Sequence, residues 1–139
     1  MDLVEHEGVP MVLGLRELEP HDRPFVASTW GRTCRARMGV SKAVFVREHP
    51  AFVDTCLGHG RTLVLCSANV PSTIFGWSCG EQSRLHYAYV VPELQHRGLG
   101  RVLIGAALGA YPVCIETTHR WPWPSARFVF NPFRLMRSA

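Results

Sequence analysis

The chain has 139 residues, 47% of them hydrophobic, and a formal net charge of +4, which leads us to expect a single domain spanning residues 1–139 with a core of its own. No apolar run approaches the ~20 residues of a membrane span, and an N-terminus carrying Asp2, Glu5 and Glu7 without a basic region is unlike a signal peptide, so a cytoplasmic protein with no membrane partner is expected. The cysteines at 34, 56, 66, 79 and 114 are odd in number and contain no Cys-x-x-Cys pair, which argues for reduced thiols, and Cys56 with His59 finds no second pair to complete a metal site, so no metal is expected.

Met11 to Leu18 is apolar-rich and reads as a strand. Glu19, Pro20, His21 and Asp22 then give a helix start with Asp22 near the cap and Pro24 in the first turn, where a missing N–H is tolerated. Phe25, Val26, Thr29 and Trp30 supply an apolar stripe, and Arg32 to Gly39, rich in basic and turn residues, reads as a loop. Ser41 opens a second helical stretch, interrupted or restarted at Pro50 and ended near Gly58 or Gly60. Arg61–Ser67 and Thr73–Glu81 read as strands joined by the turn residues Asn69 to Ser72. Gln82 and Ser83 mark a second turn, so an antiparallel meander is expected with the strand that begins at Leu85.

In that strand Leu85, Tyr87, Tyr89 and Val91 alternate with His86, Ala88 and Val90. Both sets are largely apolar, which suits a central strand covered on two sides. Pro92 ends regular pairing. Beyond Gly98 the period becomes helical, with Leu99, Val102, Leu103, Ala106, Ala107 and Ala110 on one stripe. Gln95, His96, Arg97, Gly98, Leu99 and Gly100 therefore lie over a helix's first turn, where backbone N–H groups lack intrahelical partners and face outward along the positive end of the dipole. The glycines admit a ligand close to the backbone, and Arg97 and Arg101 add positive charge, so the stretch reads as a pyrophosphate cradle.

Two nucleotide motifs are excluded: there is no Gly-Lys-Ser/Thr of a P-loop, and Leu103 stands where a Rossmann fingerprint needs its third glycine. The string VPELQHRGLGRVL closely resembles the acetyl-coenzyme A motif of the GNAT superfamily of N-acetyltransferases, Gln/Arg-x-x-Gly-x-Gly/Ala, with Gln95, Gly98 and Gly100 in register. The resemblance implies an α/β (α+β) fold: a mixed, mostly antiparallel central sheet with splayed strands and flanking helices. It also implies acetyl-CoA as cosubstrate, held by Ala88, Tyr89, Val90, Gln95, His96, Arg97, Gly98, Leu99, Gly100 and Arg101, the first three through strand-like pairing with the pantetheine arm. The region between the two helical stretches would shape the acceptor side.

Val113 to Thr117 has strand character and completes a strand–helix–strand unit. From Thr118 the chain departs from the family pattern: there is no Tyr after Tyr111, Pro122 and Pro124 discourage a helix, and Ala126–Phe130 leaves room for one strand. Arg120, Arg127, Arg134 and Arg137 alternate there with Trp121, Trp123, Phe128, Phe130 and Phe133. That mixture suits nucleic acid, but a solvated basic face over aromatic core is the favoured reading.

Acetyl transfer to an amine needs a base, an oxyanion donor and a proton for the thiolate. Glu116 is the leading base, because Cys114-Ile115-Glu116 resembles the Leu-Glu-Val strand of bacterial ribosomal-protein alanine acetyltransferases; the competing role is an ion pair with a nearby Arg. His86 and Glu81 are runners-up for base, with a packed core histidine the favoured reading of His86. Tyr89 or Tyr87 could bind the acceptor or protonate the thiolate, although core packing competes for both. The oxyanion donor falls to a backbone N–H around Val90. An N-acetyltransferase acting on a small-molecule or protein amine is thus expected, with a non-catalytic CoA-ester-binding or protein-interaction module, acetylation of a nucleic-acid-borne amine, and homodimerisation through an exposed strand edge as the alternatives to weigh.

Overall fold

The computed structural model describes residues 3–6, 9–81, 84–108, 115–117 and 128–130. Strands β1 (Leu3–His6) and β2 (Val9–Glu17) precede helices α1 (Arg23–Met38) and α2 (Lys42–His59), which are followed by β3 (Arg61–Ser67), β4 (Ile74–Glu81) and β5 (Arg84–Val90). Helix α3 (Leu99–Leu108), β6 (Ile115–Thr117) and β7 (Phe128–Phe130) complete the order. The strands form one sheet in sequence order; β1 to β5 run antiparallel, while β5–β6 and β6–β7 are parallel pairs. The fold is α+β, a mixed and mostly antiparallel sheet with helices on both faces.

The expected strands at 61–67 and 74–81 and the meander to β5 are present, and β5 is buried along most of its length. The strand β1 was not anticipated. The stretch from Arg32 is no loop but the second half of α1, which ends at Gly39 with φ 68°. Val26, Thr29, Trp30 and Cys34 make one buried helical stripe, and Arg32 and Arg35, which suggested a loop, are exposed on the solvated side. Nor does Pro50 interrupt α2. It lies on the exposed side, and the carbonyl deprived of a donor is that of Val46, a residue 62% exposed and so open to solvent. Ser41 caps α2 by accepting from the Val44 N–H at 3.3 Å.

Asp22 stands at the N-cap of α1, as expected, but its side chain makes no cap hydrogen bond to that helix. Its carboxylate turns back instead, accepting from the Glu19 N–H at 2.8 Å and from both arms of Arg16. Arg16 also donates to the Pro71 carbonyl at 3.0 Å, so one guanidinium ties the end of β2, the start of α1 and the β3–β4 turn.

Between the sheet and α1/α2 lies an aromatic core. Trp30 stacks on Tyr87 with centroids 5.3 Å apart and leans on Trp77, whose indole N–H donates to Thr29 Oγ1 at 2.8 Å. The opposite face packs Leu13, Leu65, Phe75, Leu94, Leu99 and Leu103 under α3. Two register shifts decide which side chain goes where. At the shift in β3–β4, Phe75 leaves the Trp77 face for the α3 side, and at the shift in β4–β5, Leu85 leaves the Tyr87 face to pack with Ile104. Strict alternation, which put Leu85 with Tyr87, is corrected by that bulge. The helical stripe is also rotated: Leu99, Leu103, Ile104 and Ala107 are buried while Val102 is 45% exposed.

Helix α3 can lie close to the sheet because β4 presents Gly76, Ser78 and Gly80 to it. A Cβ on Gly80 would stand 2.7 Å from the Arg84 carbonyl oxygen and 2.9 Å from Leu108 Cδ2; one on Gly76 would stand 2.5 Å from the Tyr89 carbonyl oxygen. Ser78 donates to the Leu103 carbonyl at 2.7 Å and fastens the helix in place. Cys34, Cys56, Cys66 and Cys79 are buried free thiols. No described helix is long and apolar enough to cross a membrane.

Candidate functional site

The site lies where β5, among the described residues, has no further strand partner. Among the described residues β6 pairs with β5 only at Arg84–Glu116 and Leu85–Thr117, so the edge of β5 from Ala88 to Val90 faces a gap. Backbone groups alternate along that edge. The Val91 N–H donates to the Phe75 carbonyl at 2.8 Å and the Tyr89 carbonyl is turned toward Gly76, so both belong to the β4 side. The N–H and C=O groups of Ala88 and Val90 therefore point into the gap.

The chain then turns through a short 3-10 segment, Pro92–Leu94, whose Leu94 is fully buried and anchors the turn to the core. Gln95 donates its side-chain N–H to the Val90 carbonyl at 2.9 Å. His96 and Gly98 both take left-handed backbone, φ 64° and 79°, before α3 begins with the Val102 N–H bonding to the Gly98 carbonyl at 3.3 Å. The N–H groups of Leu99, Gly100 and Arg101 belong to the first turn of α3 and lack intrahelical acceptors. A Cβ added to Gly98 or Gly100 would meet nothing within 4 Å: at these positions the glycines border open space.

Between strand edge and helix start lies a cleft of about 270 Å³. Six of the residues expected to hold a cofactor line it, namely Ala88, Tyr89, Val90, Gln95, His96 and Gly100. Leu94 and Ile104, which were not foreseen, complete the apolar wall. That volume is at the low end for ligand pockets and suits a slender arm. Arg97, Gly98 and Arg101 are exposed on the rim, whereas the Leu99 side chain is core and only its backbone belongs to the helix start. The residues present fit a phosphate-bearing cofactor with a linear arm: the Ala88 N–H and C=O and the Val90 N–H on the strand edge for the arm, a glycine-containing helix N-terminus and two arginines for the phosphates.

Of the residues expected to serve catalysis, Tyr89 borders the cleft, while His86 and the backbone of Glu116 stand further back along the sheet. Tyr89 reaches the cleft, 9% exposed, with its ring edge-on to Phe25 at 6.3 Å. His86 is fully buried at the β5 bulge, and burial pushes its pKa down, helped by Arg84 and His59 and opposed by Glu81. Glu116 stands on β6 opposite Arg84, four residues before Ala88, about 13 Å away along the strand. Glu81 is also opposite Arg84 and bonds it at 2.8 Å, so Glu81, Arg84 and Glu116 occupy one cross-strand row. Tyr87 belongs to the core, stacked on Trp30 and sharing a 2.8 Å hydrogen bond with Thr33. The basic aromatic tail from Thr118 lies outside the described residues apart from the backbone of β7.

No family model matches the chain, and no curated protein does. Solved structures do match. The apo form of YjaB from Escherichia coli superposes with a TM-score of 0.52 at 20% identity, over 71% of this chain and 66% of that one. A GCN5-related glucosamine N-acetyltransferase region in a fungal multi-domain GH3 beta-N-acetylglucosaminidase superposes with a TM-score of 0.55 at 17% identity, over 86% of this chain and 15% of that one. The chain thus has the fold of the GCN5-related N-acetyltransferases, the GNAT fold, and spans less than two thirds of the length of either of these matches.

Proposed function

We propose that the protein is an acetyl-CoA-dependent N-acetyltransferase that acylates a primary amine. The observation that carries the reading is the cleft itself, in which the edge of β5 at Ala88 and Val90, without a strand partner among the described residues, meets the start of α3 at Gly100. Bound there, acetyl-CoA supplies an acyl group activated as a thioester. The chain's part is to hold and polarise it. The N–H and C=O of Ala88 and the N–H of Val90 would be the groups open to the arm, the Val90 carbonyl being taken by Gln95, and one of the two N–H groups would face the thioester carbonyl oxygen, where negative charge develops on attack. The N–H groups of Leu99, Gly100 and Arg101, with Arg97 and the Arg101 side chain, face the phosphates. Tyr89, which borders the cleft, is the proposed source of a proton for the departing sulfur.

Glu116 is the proposed general base for an acceptor that enters along the gap between β5 and β6. Its row with Arg84 and Glu81 supports a second reading, a CoA-ester-binding module without catalysis, in which Glu116 serves as an ion-pair partner. The acceptor amine, small-molecule or protein, and a cytoplasmic setting belong to the same proposal. Calorimetric titration with acetyl-CoA, followed by thiol release measured over a panel of amines, tests it. Saturable micromolar binding with multiple turnovers that fall on Glu116→Gln or Tyr89→Phe is expected. Binding without turnover favours the module, and absence of CoA-ester binding sinks both.

A further inference from the structure

Gln95 was expected as a contact for the cofactor, yet its side chain is directed at the protein. Its Nε2 lies 2.9 Å from the Val90 carbonyl oxygen, on the edge of β5 that faces the gap. That edge offers, in order, the N–H and C=O of Ala88 and the N–H and C=O of Val90. An arm carrying amide N–H groups has two acceptors to choose from, a two-residue slip apart, about 7 Å. The Gln95 carboxamide closes the second.

The same bond folds the turn back on the strand. The Leu94 N–H bonds the Val91 carbonyl at 3.0 Å and the Gln95 N–H bonds the Pro92 carbonyl at 3.2 Å, so the side chain is a third tie over a few residues. Immediately beyond it His96 holds φ 64°, a conformation that a non-glycine residue adopts only where its surroundings enforce it. The last free pairing group of β5 and the first free N–H groups of α3 are thereby kept at a fixed spacing.

We propose, resting on the CoA-ester reading of this cleft, that Gln95 is a positioning residue: by capping the Val90 carbonyl it fixes how far a pantetheine arm pairs along β5 and where the diphosphate then falls on α3. It need not touch the ligand to do so. The variants are Gln95→Met, which keeps length and loses the donor, and Gln95→Arg, which retains a donor. The ligands are acetyl-CoA and S-acetylpantetheine, the second having the arm without the diphosphate or nucleotide.

Followed through the Ala88 and Val90 amide resonances, Gln95→Met should weaken both ligands by a similar factor, about fivefold, the size of one hydrogen bond. Gln95→Arg should return both to within about twofold of the original. A loss confined to acetyl-CoA means that Gln95 serves the phosphates and overturns the proposal, as does unchanged binding of both ligands by Gln95→Met. In the ligand-free protein the Gln95 carboxamide protons should exchange more slowly than those of a free glutamine; equal exchange also overturns it. If the unmodified chain binds neither ligand, the CoA reading fails and the positioning role fails with it, and the exchange measurement then reports whether the brace itself exists.

Discussion

Arg16 and Asp22 form a two-armed ion pair, Nη1 to Oδ2 at 2.6 Å and Nη2 to Oδ1 at 2.9 Å, with the carboxylate 1% exposed and the guanidinium side chain 18% exposed. The Arg16 hydrogen bond holds the Asp22 pKa below the usual carboxylate range, with the Glu19 N–H helping and burial opposing. Asp22→Asn leaves the guanidinium without its charge partner and should cost about 3 kcal/mol in urea denaturation, less than a fully sealed pair because Arg16 reaches water. Since the folded pKa is depressed, this contribution is complete above pH ~4 and drains as pH falls below it.

A second acid-sensitive step should appear at higher pH. Burial lowers the pKa of both His49 and His86. Each is free to take a proton once unfolded, near pH 6.5, but resists it in the fold, so stability is full above that value and falls as pH drops through it. Melting temperature should fall by several degrees between pH 7.5 and 5.5. His86→Met should flatten that slope; an unchanged slope in the variant would assign the effect elsewhere.

The small residues of β4 carry the seat of α3. Gly76→Ala places a Cβ 2.5 Å from the Tyr89 carbonyl oxygen and should cost about 2–3 kcal/mol through displaced backbone. Ser78→Ala removes the 2.7 Å bond to Leu103 and should cost about 1 kcal/mol. Chemical denaturation of both variants measures the difference.

Gly100 is the contrasting case. Its Cβ position is open and borders the cleft, so Gly100→Val should leave the melting temperature within a degree or so of the original while weakening acetyl-CoA by more than about tenfold, since the side chain occupies the cofactor's approach to the helix N-terminus. A matching loss of stability and affinity would point to misfolding rather than to blockage.

The thiols report burial directly. Burial pushes the Cys79 thiol up to about 12 and the Cys56 thiol higher still. Neither should react with a disulfide reagent at pH 8 in the native protein, and both should react in guanidinium. Rapid native labelling of either would contradict the packing of α2 on β4.

The joint that runs from the strand at Leu85 into the helix beyond Gly98 is written in local chemistry: aromatic and β-branched alternation, a proline stop, two glycines and a helical stripe each act over a few neighbouring residues, so they can be read locally. The strands at 61–67 and 74–81 were legible for the same reason. What escaped was set by partners distant in sequence. The basic second half of α1 is helical because Cys34 joins Val26 and Trp30 against the sheet, and Pro50 stays inside α2 because its side faces water. The bulges that reassign Phe75 and Leu85 exist only once β3, β4 and β5 are paired.

The same division runs through the site. Local sequence placed Ala88, Val90, Gln95 and Gly100 together, because strand, turn and helix start are contiguous. Only the tertiary structure decided that β6 pairs with β5 at Arg84 and Leu85 and not, among the described residues, at Ala88 to Val90, that Leu94 and Ile104 wall the cleft, and that Glu116 stands in register with Arg84. Register between strands depends on the whole sheet's packing, which no local period encodes.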